Sequence, residues 1–336
     1  MVMATGIVSV ALRLADSPDL SAVLLWVAVA AFGILVVGSA WRVAAFGPQV
    51  RGELNRPDRL FSYFAFPAAA SVLGARLAGD GPAGVAAALA AVTAVAWIAL
   101  TCVVLAFLAR WQGRRRAIGE VNGSWQLWVV GTQAAAIAAT LAGVLPGRLA
   151  AWVAIVVWAA GAVLYPVVTA LVLTRLRVAG LAPGDPVAPY WVTMGAASIT
   201  VLGAAQALEA AGSAGLAGVR SALTGLGLVF WSVATAFIPA LVVFGTTRRR
   251  RGLGPRGFRR ELWMIVFPAG MYATASMRIG SAAGIPAVHD TGTVAVWIAV
   301  AVWALVFAGM LAFPASRTRT DASAAAAQPP PPRPRA

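Results

Sequence analysis

The chain has 336 residues, of which 60% are hydrophobic and only 11% charged, a balance far from that of soluble domains. Its formal net charge is +15, and all 26 basic residues are Arg. These arginines lie in short segments between long apolar runs. That excludes a basic face for a nucleic-acid partner and makes the lipid bilayer the surrounding phase.

Ten apolar runs follow in chain order. The first, 1–15, contains "VMATGIVSVA" and is short for a span. Either residues upstream of Met1 continue it, or it begins inside the membrane. No basic segment precedes it, so a cleavable signal peptide is not expected. The other runs are 20–46, 60–78, 83–110, 124–145, 149–174, 190–211, 222–247, 261–282 and 291–313. Most have the ~20 residues needed to cross a bilayer core. The chain closes on "SAAAAQPPPPRPRA", a low-complexity stretch. The sequence thus predicts an all-α integral membrane protein of ten transmembrane helices, with one transmembrane domain (1–314) and a disordered cytoplasmic tail (315–336).

The segments between runs set the orientation. "VRGELNRPDRL", "RWQGRRRAIGE", "TRLRV" and "TTRRRRGLGPRGFRR" follow even-numbered runs, and the tail adds Arg317, Arg319, Arg333 and Arg335. The other side carries Arg13, Arg76, Arg148, Arg220 and Arg278. Retention of Arg on the cytoplasmic side predicts a multi-pass protein of the cell membrane with both termini cytoplasmic.

The odd-numbered runs resemble one another. "YFAFPAAASVLGARLAG", "LWVVGTQAAAIAATLAG", "YWVTMGAASITVLGAA" and "WMIVFPAGMYATASMRIG" each open on apolar or aromatic residues, break at Pro or Gly, and continue in Ala, Gly and Ser. The even runs are bulkier, as in "WVAIVVWAAGAVLYPVV". Small residues let helices pack closely whatever their function. Their alternation along the whole chain predicts five helical hairpins, small-residue helices inside and bulky ones facing lipid, with a narrow lumen where the kinked inner helices meet. Pro67 and Pro268 remove backbone donors, and with Gly270 they are the expected helix kinks. Phe66 and Phe267, each directly before its proline, are the expected plugs of the lumen; the alternative is that both are packing aromatics.

No Asp or Glu lies near the middle of a run, which argues against a cation pump or carboxylate-based proton coupling. It also argues against an intramembrane hydrolase or metalloenzyme. Cys102 and His289 are single, so neither a disulfide nor a metal site is expected, and no cofactor is. The candidate pore lining is polar and uncharged: Thr5, Ser9, Ser71, Thr132, Gln133, Thr193, Ser198 and Thr274. Arg13, Arg76 and Arg278 recur beyond the breaks of their runs. They read either as an anion-attracting outer mouth or as arginines snorkelling to the interface.

"VMATGIVSVA", "NGSWQLWVVGTQ" and "ELWMIVFPAGMYATAS" resemble the tellurite-resistance/dicarboxylate transporter family, which includes TehA-like proteins and the slow-type anion channels. The resemblance runs from about Met1 to Phe313. It implies five helical hairpins in a quasi-fivefold arrangement around a central pore, a homotrimer with one pore per protomer, and an occluding phenylalanine that matches Phe267. The expected function is passage of small anions such as C4-dicarboxylate, halide, nitrate, sulfite or a tellurite-type oxyanion. The competing readings are a non-conducting membrane scaffold that binds partner proteins and, disfavoured by the missing catalytic groups, a lipid-modifying enzyme.

Overall fold

The computed structural model describes residues 1–111, 120–141, 145–182, 185–253 and 259–326. The loop around Arg114 and the proline-rich end of the tail, 327–336, lie outside the described residues. Ten helices of 13 residues or more dominate the described residues. In chain order they are α1 (Val2–Leu14), α2 (Pro18–Ala45), α3 (Ala65–Asp80), α4 (Ala83–Trp111) and α5 (Gln126–Ala139), then α6 (Gly147–Ala179), α7 (Trp191–Ser213), α8 (Arg220–Arg250), α9 (Trp263–Ala283) and α10 (Pro286–Ala326). The last runs past the expected domain end at 314. Two short helices, Gly47–Leu54 and Pro57–Leu60, join α2 to α3. There Glu53 accepts from Tyr63 and from Arg42, at 2.8 Å and 2.6 Å, and these bonds hold its carboxyl below the usual range.

By length and composition seven of these segments can cross a membrane: α2, α3 with its preceding turn, α4, α6, α7, α8 and α10. The sequence predicted ten. The remaining three, α1, α5 and α9, are odd-numbered, and α1 and α5 have only 13 and 14 residues. At 1.5 Å per residue α5 is about 21 Å long, shorter than the ~30 Å hydrocarbon core. It need not match the lipid, because protein surrounds it: Gln126 to Ala138 are almost all buried.

Burial separates two classes of helix. In α7, 89% of the most apolar window is buried, against 17% in α8 and α10. The even helices leave large apolar side chains outside, among them Ile34, Val95, Val163, Val243 and Leu305. Such a surface would aggregate in water, but lipid tails solvate it. Among the odd helices, α1 packs on α3 and α9, α3 on α5, α5 on α7, and α7 on α9. Each odd helix also packs on the even helix that follows it. The α9–α10 pair is tight because Gly280 and Gly292 face backbone: a Cβ at Gly280 would stand 2.4 Å from the His289 nitrogen. Gly284, at φ +67, ends α9 in the left-handed conformation that permits the short turn into Pro286.

Each even helix also reaches forward to the next odd one through a mid-helix aromatic. The indole Nε1 of Trp97 donates to Thr132 (3.1 Å), Trp158 to the Thr200 carbonyl (2.8 Å), Trp231 to Ser276 (2.9 Å) and Trp303 to Thr5 (3.0 Å). At the α2–α3 seam the Phe32 ring stacks on Phe66 instead, 5.8 Å apart. An indole N–H is only a donor and is costly to leave unpaired in an apolar phase, so each tryptophan pins one inner helix in rotation.

Candidate functional site

A cavity of about 420 Å³ lies where the odd helices converge, and all five line it. The lining residues fall at helical spacing on one face of each: Ile7, Val10 and Leu14 on α1; Ser71, Ala75 and Ala78 on α3; Ile137 on α5, with Leu141 just past its end. The same holds for Ile199, Leu202 and Gln206 on α7 and for Met271, Thr274 and Arg278 on α9. Arg13, Arg76 and Arg278 all belong to this wall.

The arginines differ in setting. Arg76 is 7% exposed and its Nε donates to Ser21 at 3.2 Å. Arg278 reaches Glu209 at 3.5 Å. Arg13 is exposed on the last turn of α1. Among the described lining residues there is no carboxylate, so Glu209 opposes this charge only from outside the wall. Ser71 donates to the Ala134 carbonyl (2.9 Å) and Thr274 to the Gly270 carbonyl (3.0 Å). With both protons taken by backbone, the donors left in the described wall are the Gln206 amide and the guanidinium N–H groups, of which only the latter are charged. Apolar walls strengthen their field.

Of the eight hydroxyl and amide residues expected at the lumen, only Ser71 and Thr274 line this cavity. Thr5 and Thr132 face the outer tryptophans. Ser9 donates to the Ser21 carbonyl on α2 (2.7 Å). Gln133 donates sideways to the Trp158 carbonyl (3.2 Å), and Ser198 bonds back to Met194 (2.9 Å). Thr193 is buried. The physical reason is helical phase: Thr5 and Ser9 each stand two residues from Ile7, about 200° round the helix at ~100° per residue.

The same phase separates the two phenylalanines. Phe267 lies about one turn before Met271 on α9 and is fully buried; the cavity wall begins at Met271 and does not include Phe267. Opposite it, a Cβ on Gly195 would approach its Cε1 to 3.3 Å and the Pro268 ring to 2.9 Å. Phe66 lies five residues before Ser71, about 140° away, and packs outward on Phe32. Phe64, which sequence reasoning missed, is fully buried against Gly131. Its signal was a spacing of two turns from Ser71.

The three expected breaks also differ. Pro268 sits inside α9 and leaves the Met264 carbonyl without its usual donor. Pro67 sits in the first turn of α3, after the 3-10 turn Phe61–Phe64, where a missing N–H costs little. Gly270 is a point of close approach, since a Cβ there would stand 2.9 Å from Ile7. No group of His, Cys, Asp and Glu suited to a metal occurs among the described residues.

Against known proteins, the family model for the voltage-dependent anion channel (SLAC1) matches residues 1–311. The chain belongs to the voltage-dependent anion channel family. Membership of this channel family agrees with the apolar helices in making it a multi-pass membrane protein. Two proteins of Mycobacterium tuberculosis, from strains H37Rv and CDC 1551 / Oshkosh, are 41% identical to it over 149 residues. Both are described as uncharacterized membrane proteins, and the match covers 44% of this chain and 75% of each relative.

Proposed function

We propose that the chain passes small anions across the cell membrane through one pore per protomer. In this reading the ten helices form five hairpins with quasi-fivefold symmetry, α1, α3, α5, α7 and α9 surround the pore, and both termini are cytoplasmic. The observation that carries it is the cavity itself: five helices contribute to one wall, and three of them bring an arginine. An electropositive mouth with no carboxylate among its described lining residues concentrates anions and repels cations.

Phe267 closes this path in the resting state, with Gly195 giving its ring room to pack and Pro268 giving α9 a place to flex. Ser71 and Thr274 are the hydroxyls beside the anion, and Arg13, Arg76 and Arg278 draw it in. The protomer assembles as a homotrimer, and no reaction is catalysed. C4-dicarboxylates, halides, nitrate, sulfite and tellurite-type oxyanions are the candidate cargoes. The deciding experiment is uptake of each into proteoliposomes bearing the purified chain. Anion flux above protein-free vesicles, with no cation flux, is the expected result. Absence of flux for every anion, in both the wild type and Phe267→Ala, would leave a non-conducting scaffold as the better account.

A further inference from the structure

The side of α9 that faces away from the cavity borders a second space. A groove of about 730 Å³ runs between α8, α9 and α10, lined by Ile238, Val242, Ala269, Tyr272, Val294 and Ile298 among others. Val294 and Ile298 are exposed on the lipid-facing surface of α10. The α10 residues that line it, from Ala287 to Val302, span about 22 Å at 1.5 Å per residue, most of the ~30 Å bilayer core. At the arginine-rich end it runs into a further space of about 900 Å³, with Trp191, Val242 and Ile265 common to both.

The chemistry changes at that junction. The second space is lined by Arg248, Arg249 and Arg259, against one carboxylate, Glu261, which lies 3.5 Å from Arg259. Arg248 is only 8% exposed. Its terminal nitrogens donate to the carbonyls of Ala182 (2.7 Å), Leu181 and Leu253 (both 3.3 Å), while its buried Nε has no partner. A buried guanidinium with an unmet donor is costly unless an acceptor completes it. Guanidinium groups suit phosphate oxygens in geometry and charge.

We propose that this continuous groove binds one anionic phospholipid, with its phosphate among Arg248, Arg249 and Arg259 and an acyl chain in the trough over α9. A free oxyanion would satisfy the arginines but leave the apolar trough empty. A choline lipid would bring a second cation to a pocket already rich in them. An anionic phospholipid fits both parts, and it fits the membrane depth at which they meet.

The test needs no transport. Thermal unfolding of the full-length chain in detergent is followed while phosphatidylglycerol, phosphatidylcholine or inorganic phosphate is added. Phosphatidylglycerol is expected to raise the unfolding temperature saturably, phosphatidylcholine and phosphate to have little effect. Arg249→Gln with Arg259→Gln should raise the half-saturating phosphatidylglycerol concentration at least tenfold. Ala295→Phe, which fills the trough, should abolish the response. Equal effects of the two lipids would overturn the proposal, and so would a response reproduced by phosphate alone. A second copy of the chain covering the groove would make the lipids indistinguishable and overturn it too. An unchanged response in either variant would do the same, and if a variant fails to fold, the three-ligand comparison on the wild type still decides.

Discussion

The two ends of the inner helix cluster differ although small-residue runs build both. Toward the arginines, the inward positions carry Ser71, Ala75, Ala78 and Thr274 with aliphatic neighbours, and a cavity stays open. Toward the other end Phe64 and Phe267 are fully buried, each against a glycine, Gly131 and Gly195. Small residues thus do opposite things. Facing the axis they leave space; facing an aromatic on a neighbouring helix they let it close space. Composition alone therefore does not say where a lumen lies, and the partner across the axis does.

The contrast is broken most directly at Phe267. Phe267→Ala should raise anion flux at least tenfold, equivalent to about 1.4 kcal/mol off the barrier. Because the ring is fully buried, the variant should also lose thermal stability, up to the ~3–5 kcal/mol typical of a packed Phe→Ala. Flux is the discriminating readout. Phe66→Ala, which removes a ring stacked on Phe32, should leave it unchanged. A fall in stability with flat conductance would make Phe267 a packing residue and nothing more.

The open half is sharpened by charge. Replacing Arg13, Arg76 and Arg278 with Gln should lower flux about tenfold at low salt, the lower end of what focused charge contributes to on-rates. The deficit should shrink as ionic strength rises, since the screening length falls to about 8 Å near 0.15 M. A deficit independent of salt would point to snorkelling arginines with a structural role. A smaller change of opposite sign is expected for Glu209→Gln. It removes the carboxylate 3.5 Å from Arg278, so flux at low salt should rise about twofold, as for a partly exposed, screened pair. Lower or unchanged flux would place the Glu209 carboxylate outside the field felt by the anion.

The smallest effect concerns the seams. Trp303→Phe deletes the bond to Thr5 and should cost about 0.6 kcal/mol, the average for such bonds within a membrane. Flux should not change, because Thr5 faces α10 and not the cavity. A large loss of flux would mean that the rotation of α1 is set by this bond alone.

What the sequence determined follows from one-dimensional quantities. Run lengths and apolar content placed the ten long helices of the described residues, seven of which are long and apolar enough to cross a membrane, and the alternation of small and bulky runs matched the observed burial. The spacing of Arg13, Arg76 and Arg278 after their breaks found three side chains that now share one cavity wall. These features survive because the span of a helix and the position of a charge along it are set locally. The tertiary structure alone decided direction round each axis. Thr5, Ser9 and Thr132 are the same residue types as the lining hydroxyls, but a shift of two residues from Ile7, or of five from Ile137, turns them toward an outer helix that offers a tryptophan or a serine. Phe66 and Phe267 occupy the same place before proline, yet α3 begins near its proline while α9 holds it well inside; Phe66 stacks on Phe32 of an outer helix, and Phe267 packs against Gly195 of an inner one. Rotation about a helix axis is fixed by what the neighbouring helices bring to the interface, and that is known only once the helices are packed.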